Sequence, residues 1–150
     1  MKKDIKSKLD KLSKEELVDI INKLCEILDV EKTLKLLVSP TKKDIDRELS
    51  SFERWCNSVS NNPCSERAEN GLYTSASLLW KAIDYLDVNT AARVLYEMYC
   101  ITSDITDYSE VAVDINYDSC SLLSNLLKDQ HNVFSTEEID KYTYITDIYD

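Results

Sequence analysis

Residues 41–59 read TKKDIDRELSSFERWCNSV. Within them Ile45, Leu49, Phe52, Cys56 and Val59 recur at spacings of four, three, four and three. That is the rhythm of one face of an α-helix, whereas a strand would alternate at every second residue. Thr41 stands where an N-cap belongs, its hydroxyl ready to accept from an early amide of the helix. The stretch therefore predicts an amphipathic helix of about four turns, broken at residues 60–62.

The same rhythm continues outward in both directions. Downstream, Ala68, Leu72, Ala76, Leu79, Ile83 and Leu86 keep the helical spacing. Pro63 suits a first helical turn, with Asn62 as its cap, but Gly71 lies inside the pattern and predicts a start only after it. Asp87–Thr90 reads as a turn and cap, followed by a face of Ala91, Leu95 and Met98 with Val94 and Tyr99 beside it. Helical pattern returns from Ser119 through Leu122, Leu123, Leu126 and Leu127, and residues 129–134 read as a loop. Ser135 with Glu138 then forms a capping box, Phe134 with Ile139 a hydrophobic staple, and Ile139, Tyr142 and Ile145 would dock a last helix. Upstream, Ser13 with Glu16 makes another capping box and Leu12 with Leu17 another staple. A stripe of Leu17, Ile20, Ile21, Leu24 and Leu28 follows. Asp29 can restart a short helix with Val30, Leu34, Leu37 and Val38 on its apolar side, and Pro40 ends it. Residues 102–118, TSDITDYSEVAVDINYD, leave helix and extended chain both open: Val111, Ile115 and Leu122 fit one stripe, but β-branched residues are dense. KKDI at 2–5 echoes KKDI at 42–45, too short a match to establish a repeat.

The composition agrees. The chain has 150 residues, enough for one core of ordinary size, and reads as a single domain spanning 1–150. It holds one glycine and two prolines. A sandwich or barrel would need turn glycines throughout, and a glycine-built phosphate loop several in a row. The expected fold is all-α, an irregular helical bundle or short stack of helical hairpins with six to eight helices. The opening Leu12-Ser13-Lys14-Glu15-Glu16-Leu17, with the stripe behind it, resembles uncharacterised bacterial all-helical families over about 25 residues. That resemblance implies an all-α fold and brings no catalytic residue with it.

Charge is uneven along the chain. Residues 1–50 carry 12 basic and 11 acidic groups, whereas residues 51–150 carry 6 and 17. In residues 101–150 only Lys128 and Lys141 face 11 acids. Such a field repels nucleic acid and anionic lipid and attracts a basic protein surface. Lys2, Lys3, Lys6, Lys8, Lys11 and Lys14 form a basic arm, but Asp4 and Asp10 interrupt it, and it lacks arginine and aromatic residues. The apolar runs of the whole sequence are too short to span a bilayer, and the opening MKKDIKSKLDKL lacks the apolar core of an export signal. The five cysteines, Cys25, Cys56, Cys64, Cys100 and Cys120, form no C-x-x-C pair. They read as reduced thiols of a cytoplasmic protein.

Chemistry-bearing patterns are sparse. His131 is the one histidine, in a polar stretch, without the partners a zinc site needs. Asp114, Asn116 and Asp118 have the alternate spacing that opens a calcium loop, yet Ser119 replaces the turn glycine and Asn125 the closing glutamate. Glu15–Glu16 and Glu137–Glu138 have work to do at helix N-termini. The expectation is therefore no catalytic residue, no metal and no cofactor. Tyrosine occurs nine times against two phenylalanines, concentrated in the acidic part, and a ring with a wet hydroxyl suits interfaces. The residues expected to bind a protein partner are Trp55, Trp80, Tyr96, Tyr99, Asp104, Asp107, Tyr108 and Tyr117, although Trp55 and Trp80, at the margins of their apolar faces, suit packing of helix against helix first and a partner second. An inhibitor or immunity-type protein facing a basic partner leads. A self-associating homodimeric scaffold comes second. An enzyme using Cys56, Cys64 or His131 in an assembled pocket comes last.

Overall fold

The computed structural model describes residues 3–27 and 30–147, and among them no strand occurs. Eight α-helices follow one another: α1 (Lys3–Leu9), α2 (Lys14–Ile27), α3 (Val30–Val38), α4 (Lys42–Asn61), α5 (Glu66–Ile83), α6 (Val88–Ser103), α7 (Glu110–Asp129) and α8 (Thr136–Thr146). A short 3-10 turn, His131–Val133, joins the last two. The all-α reading and the helix number hold. No helix among the described residues is long and apolar enough to cross a membrane. The chain divides into two compact units, residues 1–35 and 36–150.

In the first unit the Ser13 amide donates to Glu16 at 2.8 Å, and the Glu16 amide donates to the Ser13 hydroxyl at 3.2 Å. This is the expected capping box. The inward stripe is only partly realised. Ile20 and Ile21 are exposed, as is Val18. Leu28 and Asp29 lie outside the described residues, as do the side chains of Leu24, Val30 and Leu34.

In the second unit the predicted α4 face is buried as read: Ile45, Leu49, Phe52, Cys56 and Val59 all point into the core. Each such Leu, Ile or Phe contributes about 1.5–3 kcal/mol by leaving water. Thr41 caps α4 through a full box with Asp44, 3.2 Å and 3.0 Å in the two directions. At the end of α3 it is Leu36 that enters the core, while Val38 stays exposed, so the apolar side assigned to that helix is displaced from its expected position. α5 begins at Glu66, capped by Ser65. Asn62 closes α4 instead of opening α5, because Pro63 and Cys64 form the turn between the two helices. Nor does Gly71 delay α5: it lies within the helix and gives room to the Trp55 indole.

α4 packs on α5, α6 packs most extensively on α7, and α7 also meets α5 and α8. The core has two lobes. One gathers Phe52, Leu72, Leu79, Met98 and Ile115; the other gathers Leu95, Leu123, Phe134, Tyr142 and Ile145. Residues 102–118 resolve into the end of α6, a turn, and α7 from Glu110, capped by Ser109. The buried face of α7 is Ala112, Ile115, Asn116, Ser119, Cys120, Leu123 and Leu127. Leu122, placed in that stripe by periodicity, is exposed. Of the expected stripe, Ile115 is buried and Val111 packs half-buried against the core, so Leu122 alone departs from it, while Asn116 holds a place that hydropathy would have left to solvent.

Candidate partner-binding surface

The eight residues expected to meet a partner separate into two groups. Trp55, Trp80, Tyr96 and Tyr99 are half-buried and engaged in helix packing. Trp55 lies against Gly71. Trp80 touches both lobes of the core, and its indole N–H donates to the buried Ser119 hydroxyl at 3.3 Å. Tyr96 tilts on Tyr142 with ring centroids 5.4 Å apart, and the Lys141 ammonium stands 4.2 Å above the Tyr96 ring. A hydrogen bond with the Cys100 thiol, aided by burial, pushes the Tyr96 phenol up. The Tyr99 carbonyl accepts from Asn116 at 3.0 Å.

Asp104, Asp107, Tyr108 and Tyr117 are exposed, the first three in the α6–α7 turn and Tyr117 on the outer face of α7; Asp107 and Tyr108 line one hollow and Tyr117 another. Asp104 closes α6. Tyr108 is 48% exposed and Tyr117 52%. Helical spacing adds neighbours that the sequence reading missed. Glu110, Asp114 and Asp118 follow one another at four-residue steps, and Val113 and Tyr117 run beside them. Among the described residues, the side chains of Asp104, Asp107, Glu110, Asp114 and Asp118 make no ion pair or hydrogen bond. Once α7 is recognised as a helix, this periodicity would have revealed the row.

Glu69 joins from α5, 40 residues away in sequence from its partner Ser109, whose hydroxyl donates to it at 2.6 Å. The same hydroxyl accepts from the Ala112 amide at 3.4 Å. A hollow of about 430 Å³ opens there, lined by Glu69, Asp107, Tyr108, Glu110, Val111 and Val113, with Thr106 and Ser109. Farther along α7 a smaller hollow of about 90 Å³ is lined by Tyr117, Ser121, Ser124, Asn125 and Lys128, with Cys120 and Thr146.

The calcium-like trio is pulled apart by the helix. Asp114 and Asp118 face solvent, while Asn116 is buried and donates to the Tyr99 carbonyl, the Thr102 hydroxyl and the Ser103 hydroxyl at 3.0, 3.0 and 3.2 Å. Among the described residues no three His, Cys, Asp or Glu side chains gather as metal ligands would. Cys56 is buried in the core, and burial, helped by Glu53, raises its thiol to about 12. His131 is exposed in the 3-10 turn, and Cys64 is exposed between α4 and α5. No family model, curated protein or solved structure matches this chain.

Proposed function

We propose that this chain is a non-enzymatic, cytoplasmic protein-binding module, an inhibitor or immunity-type protein whose acidic surface covers a basic surface on a partner. One observation carries the reading. Five carboxylates on the α6–α7 turn and α7, those of Asp104, Asp107, Glu110, Asp114 and Asp118, stand among the exposed Tyr108 and Tyr117, and these five carboxylates have no ion pair or hydrogen bond among the described residues. Exposed carboxylates without counter-charges steer a cationic partner inward and fix its orientation, and tyrosine adds apolar contact at low entropic cost. The third-placed enzyme reading loses Cys56, because a thiol with a pKa of about 12 supplies almost no thiolate at neutral pH.

The test is capture of a partner from the source cells at low and high salt, beside the double variant Asp107→Lys/Asp114→Lys. A basic protein held at low salt, released at high salt and not held by the variant supports the proposal. Recovery of no basic protein at low salt overturns it. Self-association is the second reading, favoured by Tyr73, Tyr85 and Tyr144, each more than half exposed on α5, just beyond it, and on α8. Sedimentation across a concentration series separates the two readings, since a strict monomer removes the second.

A further inference from the structure

Two separate hollows open along the outer face of α7, and the exposed side chains between them form one track along the helix. Val113 lines the larger hollow and Tyr117 the smaller, and the two stand one helical turn apart. Both are exposed, at 44% and 52%. From Val113 to Ser124 the track runs about 17 Å at the helical rise of about 1.5 Å per residue. Glu110, Asp114 and Asp118 border it along its length, while Lys128 marks its far end. The near end is the most acidic part, because Glu69, Asp107 and Glu110 meet there around the rings and methyl groups of Tyr108, Val111 and Val113.

We propose that this track seats one amphipathic helix of a basic partner, laid along α7, with an arginine or lysine in the hollow between Glu69, Asp107 and Glu110. This rests on the partner-binding reading above and adds the shape of the partner. A ridge of side chains at four-residue steps is matched by the equivalent ridge of another helix, whose apolar positions fall between Val113 and Tyr117. The bordering carboxylates match basic residues flanking that apolar stripe. The hollow suits a long cationic side chain, whose methylenes lie on Val111, Val113 and the Tyr108 ring while its head meets the carboxylates. Glu69 is already oriented by Ser109 at 2.6 Å. A second copy of this chain is a poor occupant, since a two-fold contact would set one carboxylate row against another.

The test uses two labelled synthetic peptides of about 14 residues, long enough for the track. One carries leucines at helical spacing with arginine and lysine beside them; the other has the same composition scrambled to remove the stripe. Binding is read by fluorescence anisotropy with the intact protein and with Tyr117→Ser and Glu110→Lys, each first compared with the intact protein by circular dichroism. The proposal expects the patterned peptide to bind about tenfold tighter than the scramble, and each variant to lose about tenfold. Equal, salt-sensitive binding of both peptides overturns the helix while leaving the acidic-surface reading standing. No binding of either peptide, when a basic protein is still captured and released by salt, also overturns it. Failure of that capture as well overturns both readings. Dimerisation abolished by Tyr117→Ser overturns it in favour of a second copy.

Discussion

The Trp55 indole lies so close to Gly71 that a Cβ built on the glycine would stand 2.5 Å from ring carbons Cδ2, Cε2 and Cε3. The backbone of Gly71 is ordinary, with no positive φ. The glycine is there for space: α4 and α5 approach each other through a ring laid on bare backbone. In an unobstructed helix interior, alanine would exceed glycine by about 1 kcal/mol. Here Gly71→Ala is expected to destabilise, because the half-buried ring must move. In a Trp55→Ala background the same change should stabilise by up to about 1 kcal/mol. Urea midpoints for the four proteins of this cycle check it, and a stabilising Gly71→Ala in the wild-type background would refute the close packing.

Glu48 reaches across from α4 to Ser75 on α5, whose buried hydroxyl donates to it at 2.6 Å. Burial raises its carboxyl above the ordinary 4.5, against the opposing pull of Ser75, Arg47 and Arg54. With the folded pKa the higher of the two, the folded state binds more protons in that window. Stability from this group is therefore fully present below the ordinary value and is lost as pH rises through the raised one. Glu48→Gln should remove this slope and gain relative to the wild type between about pH 4 and about pH 7. Unfolding curves at the two pH values measure it, and an unchanged difference would contradict the buried-carboxyl account.

The thiols divide by environment. Cys64 and Cys100 are exposed, whereas Cys56 is sealed in the core with its thiol near pKa 12. Under native conditions at neutral pH, iodoacetamide should label Cys64 and Cys100, and Cys56 only after urea is added. Peptide mapping of the alkylated sites reads this directly. Native labelling of Cys56 ahead of Cys64 would reopen the nucleophile reading.

Asn116 ties α7 to the end of α6 through its amide. Asn116→Ala leaves the polar groups of Tyr99 and Thr102 short of a buried donor, at a cost of about 1–3 kcal/mol. Asn116→Asp should cost more, since it sets a carboxylate against a carbonyl oxygen in a buried place. Thermal unfolding of the two variants ranks them, and an aspartate variant as stable as the wild type would refute this role.

Most of the architecture was legible in local pattern. The face of Ile45, Leu49, Phe52, Cys56 and Val59, the capping boxes at Ser13 and Ser135, and the caps at Thr41 and Asp87 came directly from periodicity and short-range hydrogen bonding. These are contacts between residues three or four apart, and any helix presents them. Legibility failed where distant segments decide. Gly71 pointed to a later helix start because its partner Trp55 comes from another helix. Trp80 met Ser119 across 39 residues, and Glu69 met Ser109 across 40. The burial of Asn116 had no local signal either, because nothing near it in sequence announces the α6 carbonyl it satisfies.

Chain chemistry alone therefore settled most of the helices and the sign of the charge, since turn hydrogen bonds and ionisation need no distant neighbour, whereas residues 102–118 and the start of α5 waited on packing. Packing chose which rings face outward. Close contact between α4, α5, α6 and α7 engaged Trp55, Trp80, Tyr96 and Tyr99 and left Tyr108 and Tyr117 among carboxylates on the outside. Burial is a property of assembled surfaces, and no residue carries it by itself.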